Sequence, residues 1–279
     1  MARARITTVL VAAVIAGITV AAPTPASADP PGIVKAGATS VSNSSDKTLT
    51  AHCPPNTVVS GGGGYLTAPA SSGERMVGLD RLEPLNGGTG FTASMREVSP
   101  NPNNWRLSTD VTCITAPSGW DVVSFTGPLN TQGVNVGCGT KNVIGVGGRI
   151  NNGNGDVILD HVVPSADLKT VSVRGTVVAG TAPVNWSVTA IAVCANVAGL
   201  ERITSFVPSS STAHKSLSQS CDAGDGLYSA GADISPGNGQ MFLTMVRTTT
   251  VHQYNLVADE DVSGYNLNWV LFGYGICGG

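Results

Sequence analysis

The chain is 279 residues long, carries a formal net charge of −3, and only 12% of its residues are charged, against a usual share of about 25%. Mild acidity with scattered Lys and Arg excludes the basic face that nucleic-acid binding requires and offers anionic membranes no attraction. Ser, Thr, Asn and Gly take the place of the missing charges, which suits an extracellular β protein with polar faces and tight turns.

Residues 1–28 read as a secretory signal peptide. Arg3 and Arg5 form the basic start, an apolar run follows from about Thr7 to Val20, and Ala26-Ser27-Ala28 offers a cleavage site before Asp29. The run is shorter than the roughly 20 residues of a membrane span, and no later segment is long and apolar enough to be one. The expected product is secreted and extracellular. Loss of the two arginines takes its net charge from −3 to −5.

The remainder divides into three similar units, 29–118, 119–199 and 200–279. Each begins with a short strand, near Ser40-Val41, Ser124-Phe125 and Ser205-Phe206, and then an opening cysteine: Cys53, Cys138 or Cys221. A small-residue run follows, SGGGGY (Ser60 to Tyr65), GVGGRI (Gly145 to Ile150) or SAGADI (Ser229 to Ile234), in which Gly63, Gly147 and Gly231 align. Turns come next. Asn154-Gly155 and Asn238-Gly239 are type I′ signals, because both central residues of that turn need positive φ; the first unit has APASSG there. MVGLDRLEP, VILDHVVP and MFLTMVRTT then read as strands, another strand follows, and each unit ends on a tryptophan strand. About six short strands per unit, with turns every 8–12 residues or so, indicate an all-β fold.

The three closing strands are NWRLSTDVTC, NWSVTAIAVC and NWVLFGYGIC, each Asn-Trp, seven free positions, then Cys. Positions an even number apart share one side of a strand, so the tryptophan and closing cysteine point the same way. In the first unit Trp105, Leu107, Thr109, Val111 and Cys113 form a core side, and Arg106, Ser108, Asp110 and Thr112 a polar one. Disulfides are expected in a secreted chain with an even cysteine count. Six cysteines allow 15 pairings. The repeat favours Cys53–Cys113, Cys138–Cys194 and Cys221–Cys277, with swapped pairing between neighbouring units as the alternative. No two of these cysteines have zinc-site spacing.

Positions where the units differ are the candidates for function. Trp120 lies in a linker, APSGWDVV, either packed between units or open to a ligand. Asp80 and Asp160 align with Thr244, and the next position is Arg81, His161 or Met245, which reads as a solvated surface or a site in some units only. Asp259 and Asp261 sit in an expected turn before the third tryptophan strand. These five residues, Trp120, Asp80, Asp160, Asp259 and Asp261, are the candidate ligand contacts. The third closing strand places Val270, Phe272, Tyr274 and Ile276 on its outer side, an apolar stripe that is either covered or a partner surface.

Enzyme signatures are weak. The chain has no G-x-S-x-G elbow and no HExxH. CDAGDG carries Gly226 where a protease-like nucleophile would stand. The carboxylate sets Asp80 with Glu83, and Asp259 with Glu260 and Asp261, are the only glycosidase-like candidates, and NNGNGD (Asn151 to Asp156) reads as a turn rather than a calcium loop. No catalytic residue, metal or cofactor is assigned.

CPPNTVVSGGGGY, CGTKNVIGVGGRI and the three tryptophan strands together resemble a repeat of secreted actinomycete proteins that reads Cys-Pro-x-Gly-x-x-Val-x-Gly-Gly-Gly, then Trp, then Val-Cys. The resemblance covers about Ser40 to Gly279, with Ala232 breaking the glycine run in the third unit, and implies no activity. The threefold organisation is also similar to β-prism proteins such as the vitelline membrane outer layer family and jacalin-type lectins, an analogy of fold that does not imply function. The expected architecture is three disulfide-stapled antiparallel β units packed with pseudo-threefold symmetry, the alternative being three small β-sandwiches in a row. The expected function is non-enzymatic binding of carbohydrate or cell-envelope glycan. The alternatives are a structural or protein-partner role, including inhibition of an exported enzyme, and a hydrolase.

Overall fold

The computed structural model describes residues 32–67 and 76–279; the expected signal peptide and the APASSG turn lie outside the described residues. The first unit supplies β1 (Val34–Thr39), β2 (Lys47–His52), β3 (Val58–Thr67), β4 (Val77–Pro84), β5 (Gly90–Glu97) and β6 (Arg106–Ile114). The second supplies β7 (Asp121–Thr126), β8 (Gly133–Gly137), β9 (Asn142–Asn151), β10 (Val157–Pro164), β11 (Thr170–Val177) and β12 (Ser187–Ala195). The third supplies β13 (Glu201–Ser210), β14 (His214–Ser220), β15 (Gly226–Ser235), β16 (Met241–Thr248), β17 (Gln253–Glu260) and β18 (Trp269–Gly278). The protein is all-β.

These strands form three six-stranded antiparallel sheets. Sheet I runs β1-β6-β3-β16-β17-β14, sheet II β2-β5-β4-β9-β12-β7 and sheet III β13-β18-β15-β10-β11-β8. No sheet belongs to one unit. In each unit the first, sixth and third strands stay together, and the second, fifth and fourth join the sheet of another unit. A row of separate sandwiches is therefore not the arrangement. The cysteines, by contrast, pair inside each unit, as Cys53–Cys113, Cys138–Cys194 and Cys221–Cys277, with Cα separations of 5.7, 5.5 and 5.8 Å. Each bridge ties the turn after a unit's second strand to its last strand.

The aligned glycines lie at the seams where two units share a sheet. The seams pair Gly64 with Val246, Gly148 with Leu82 and Ala232 with Val162. A Cβ on Gly63 would stand 1.9 Å from the Val246 carbonyl oxygen, one on Gly147 2.6 Å from that of Leu82, and one on Gly231 2.2 Å from that of Val162. Close approach of two backbones is what excludes a side chain there.

Equivalent residues of the three units also meet in the interior. Ile158 and Phe242 pack together, and a Cβ on their counterpart Gly78 would stand 3.1 Å from Ile158 and 3.4 Å from Phe242. At the other end the Ser60 hydroxyl donates to the carbonyl of its counterpart Tyr228 at 3.0 Å. One hydrophobic cluster runs through all three units and includes Trp105, Trp186 and Trp269.

Three local expectations need correction. The polar side of β6 is only partly a solvated surface: Arg106 is exposed and Asp110 half-buried, but Ser108 is 3% and Thr112 0% exposed, because Thr39 of β1 and Thr67 of β3 bond Ser108 and Lys35 of β1 bonds Thr112. Asp259 and Glu260 end β17 rather than forming a turn, which Asp261 starts. Asn154 and Gly155 both have positive φ, at 51° and 90°, but in the third unit only Gly239 does, so its turn is of another type.

Candidate functional site

Of the candidate acids Asp80, Asp160 and Asp259 are held inside the protein, and Asp261 is half-buried in a turn. Asp80, Asp160 and Thr244 are bulge residues, at the register shifts of β4, β10 and β16. A bulge leaves one residue unpaired and re-aims its side chain. The three are buried, at 7, 0 and 3% exposure, rather than on a solvated surface. Arg96 Nε donates to Asp80 at 2.9 Å. Arg174 Nε donates to both Asp160 oxygens, at 3.0 and 3.1 Å. Thr244 donates to Asp259 at 2.6 Å, and His214 Nδ1 meets the other oxygen at 2.7 Å. Asp261 accepts the Ser263 and Gly264 amides and caps a turn. Asp80 lies in sheet II, Asp160 in sheet III and Asp259 in sheet I, so the fold does not gather them. Trp120 is half-buried, and its indole N–H donates to the Val59 carbonyl at 2.9 Å across the boundary between the first two units.

Burial without full compensation raises the pKa of a carboxyl. Asp160 is pushed up to about 6 by burial, against the opposing pull of Arg174.

The apolar stripe has a different setting. Val270, Phe272 and Tyr274 are half-buried and Ile276 is buried. Edge strand β13 covers one flank of β18, and its register sets Phe206 opposite Phe272, Thr204 opposite Tyr274 and Arg202 opposite Ile276. Phe206 remains 58% exposed, with its ring centroid 5.9 Å from that of Phe272 in a tilted pair. Arg202 sits over the Tyr274 ring, 5.2 Å from the centroid.

On the other flank β15 places Asp233 opposite Phe272. Asp233 Oδ1 accepts from Arg174 at 3.2 Å and meets His161 Nδ1 at 2.8 Å. The Asp233 side chain is 16% exposed. Sheet III therefore carries an exposed Phe206 paired with a half-buried Phe272 and followed by a tyrosine, bordered by a partly exposed carboxylate that Arg174 and His161 hold in place. Aromatic faces take the weakly positive C–H side of a ring, and an oriented carboxylate accepts hydroxyl donors.

Phe206, Asp233 and Arg174 were not singled out in sequence. The available signal is that Asp233 stands two residues past the aligned glycine, where the other units have Tyr65 and Arg149: one register position with three unrelated side chains.

No protein-family model matches the chain, and a search of curated proteins finds no similar sequence.

Proposed function

We propose that this protein is a secreted, non-catalytic carbohydrate-binding protein that uses the outer surface of sheet III. The observation that carries the reading is the Phe206–Phe272 pair, with Phe206 exposed and Phe272 half-buried, in register with Tyr274 and beside the carboxylate of Asp233. A saccharide would lay an apolar ring side on the aromatics and direct hydroxyls to the Asp233 carboxylate. Three disulfides belong to an oxidising compartment, which accords with secretion.

The same reading includes the shape. Sheets that each join two units, seams at aligned glycines and equivalent residues meeting in the interior support three sheets set about a pseudo-threefold axis, as in a β-prism. On such a body each sheet offers one outer surface, and the three differ in side chains.

The test is retention of the oxidised protein on insoluble neutral polysaccharides and peptidoglycan, with Phe272→Ala and Asp233→Asn beside it. Saturable binding lost in both variants supports the reading. Failure of the folded protein to bind any of these materials overturns it.

A further inference from the structure

The sheet I seam carries a second constellation. Arg247 on β16 lies with its guanidinium over the Tyr65 ring of β3, 4.3 Å from the centroid. Its Nε is 3.7 Å from Asp110 Oδ2 of β6, too far for a hydrogen bond, and both atoms are buried without a hydrogen-bond partner. Asp110 Oδ1 accepts from Thr248 at 3.3 Å, and Lys35 on β1 donates to Thr112 at 2.6 Å. Lys35, Thr39, Tyr65, Asp110, Arg247 and Thr249 line an open groove of 390 Å³, within the range of small-ligand sites, about 300–1,000 Å³.

Comparison of the seams shows what is particular here. In sheet II the equivalents of Tyr65 and Arg247 are Arg149 and Glu83, which hydrogen-bond at 2.6 Å and cancel. In sheet III the equivalent of Tyr65 is Asp233, held by His161 and Arg174. Sheet I alone sets a guanidinium on an aromatic ring with no hydrogen-bond acceptor among the described residues. Two cations and one carboxylate leave the groove with a single positive charge. The guanidinium fork matches a planar oxyanion, and walls of threonine hydroxyls suit a hydroxylated ligand better than an apolar one.

We infer that this groove binds a singly charged acidic saccharide, whose carboxylate or sulfate group is held by Arg247 and Lys35. The inference shares with the sheet III reading only the chemical class of ligand, and rests on different residues.

The experiment is affinity electrophoresis of the oxidised protein through gels holding polygalacturonate, dextran sulfate or unsubstituted dextran, at low and high salt. Retardation by an anionic polymer and not by dextran, weakening with salt, is expected despite the protein's net negative charge. The two polymers distinguish carboxylate from sulfate. Arg247→Gln should lower the affinity at least tenfold, and Asp110→Asn should raise it, a gain that misfolding cannot produce. Phe272→Ala should leave this binding unchanged, which separates it from the sheet III site. Equal retardation by dextran, an unaffected Arg247→Gln protein, or no retardation of the folded parent by either anionic polymer would overturn the inference.

Discussion

Lys47 Nζ stands 3.7 Å from the centre of the Trp105 ring, and the Trp105 indole N–H donates to Glu97 at 3.1 Å. The third unit repeats this with Lys215 4.7 Å from the Trp269 ring and Glu260 accepting its indole N–H at 3.0 Å. The two lysines are 6% and 1% exposed, and burial lowers the pKa of both. In the second unit the equivalent positions hold Gln132 and Val177. The aromatic frame is therefore kept in three units and its charged clamp in two.

Exchange between units tests that clamp. Glu97→Val alone removes the acceptor of the Trp105 indole N–H and a carboxylate near Lys47, whose ammonium keeps its bonds to Asn43 and Ser45, and should cost about 1–3 kcal/mol, the range for leaving a buried polar group unpaired. Lys47→Gln with Glu97→Val imports the second unit's solution and should cost less than the single change. Urea unfolding of the two proteins reads the difference; equal losses would show that the two positions do not act together.

Alanine at the aligned glycines should destabilise in the order Gly63→Ala, Gly231→Ala, Gly147→Ala, following the distances of 1.9, 2.2 and 2.6 Å to the opposing carbonyl. Overpacking against backbone costs about 1–3 kcal/mol or more. Gly87→Ala is the control: its φ is 82° and nothing lies within 4 Å of the new Cβ, so the cost should be the left-handed penalty of about 1–2 kcal/mol. Chemical denaturation midpoints give the ranking.

Asp110 is pushed up to about 6, first by burial, against the pull of Lys35 and Arg247. The folded state thus holds a proton that the unfolded chain has released by then. Between pH 4 and pH 6 this group makes stability fall as pH rises, by up to about 3 kcal/mol. Asp110→Asn should therefore be more stable than the parent at pH 7 and no more stable at pH 4. Thermal midpoints at the two pH values check the sign.

Each disulfide closes a loop of similar length, at sequence separations of 60, 56 and 56. Loop-closure entropy assigns about 4 kcal/mol to each. Replacing Cys53 and Cys113 together by serine should lower stability by about that amount, and the other two pairs by similar amounts. A much smaller loss for one pair in guanidinium unfolding would mark that staple as dispensable.

The strand periods, the six strands per unit and the burial of the tryptophans were legible because they rest on alternation and turn residues, which act over a few positions. The Trp105-to-Cys113 side is the core side, as its even spacing implies. The opposite side was misjudged because its cover comes from β1 and β3, and local alternation says nothing of what lies across a strand. The surroundings of the acids were not legible for a related reason. Asp80 and Asp160 are placed by bulges, whose extra residue has no mark in the alternation, and their arginines stand 16 and 14 residues further along.

By itself the sequence determined a three-unit β chain and the spacing that sets each opening cysteine against a closing one, since repetition makes local signals position-matched. Only the tertiary structure decided that half of each unit's strands join the sheet of another unit. A strand's hydrogen-bonding groups are alike along its length, so partner choice depends on which backbones can approach, and that is settled at Gly63, Gly147 and Gly231. The same exchange sets Arg247 against Tyr65 and Asp110, and His161 against Asp233, residues of different units that no spacing in the chain connects.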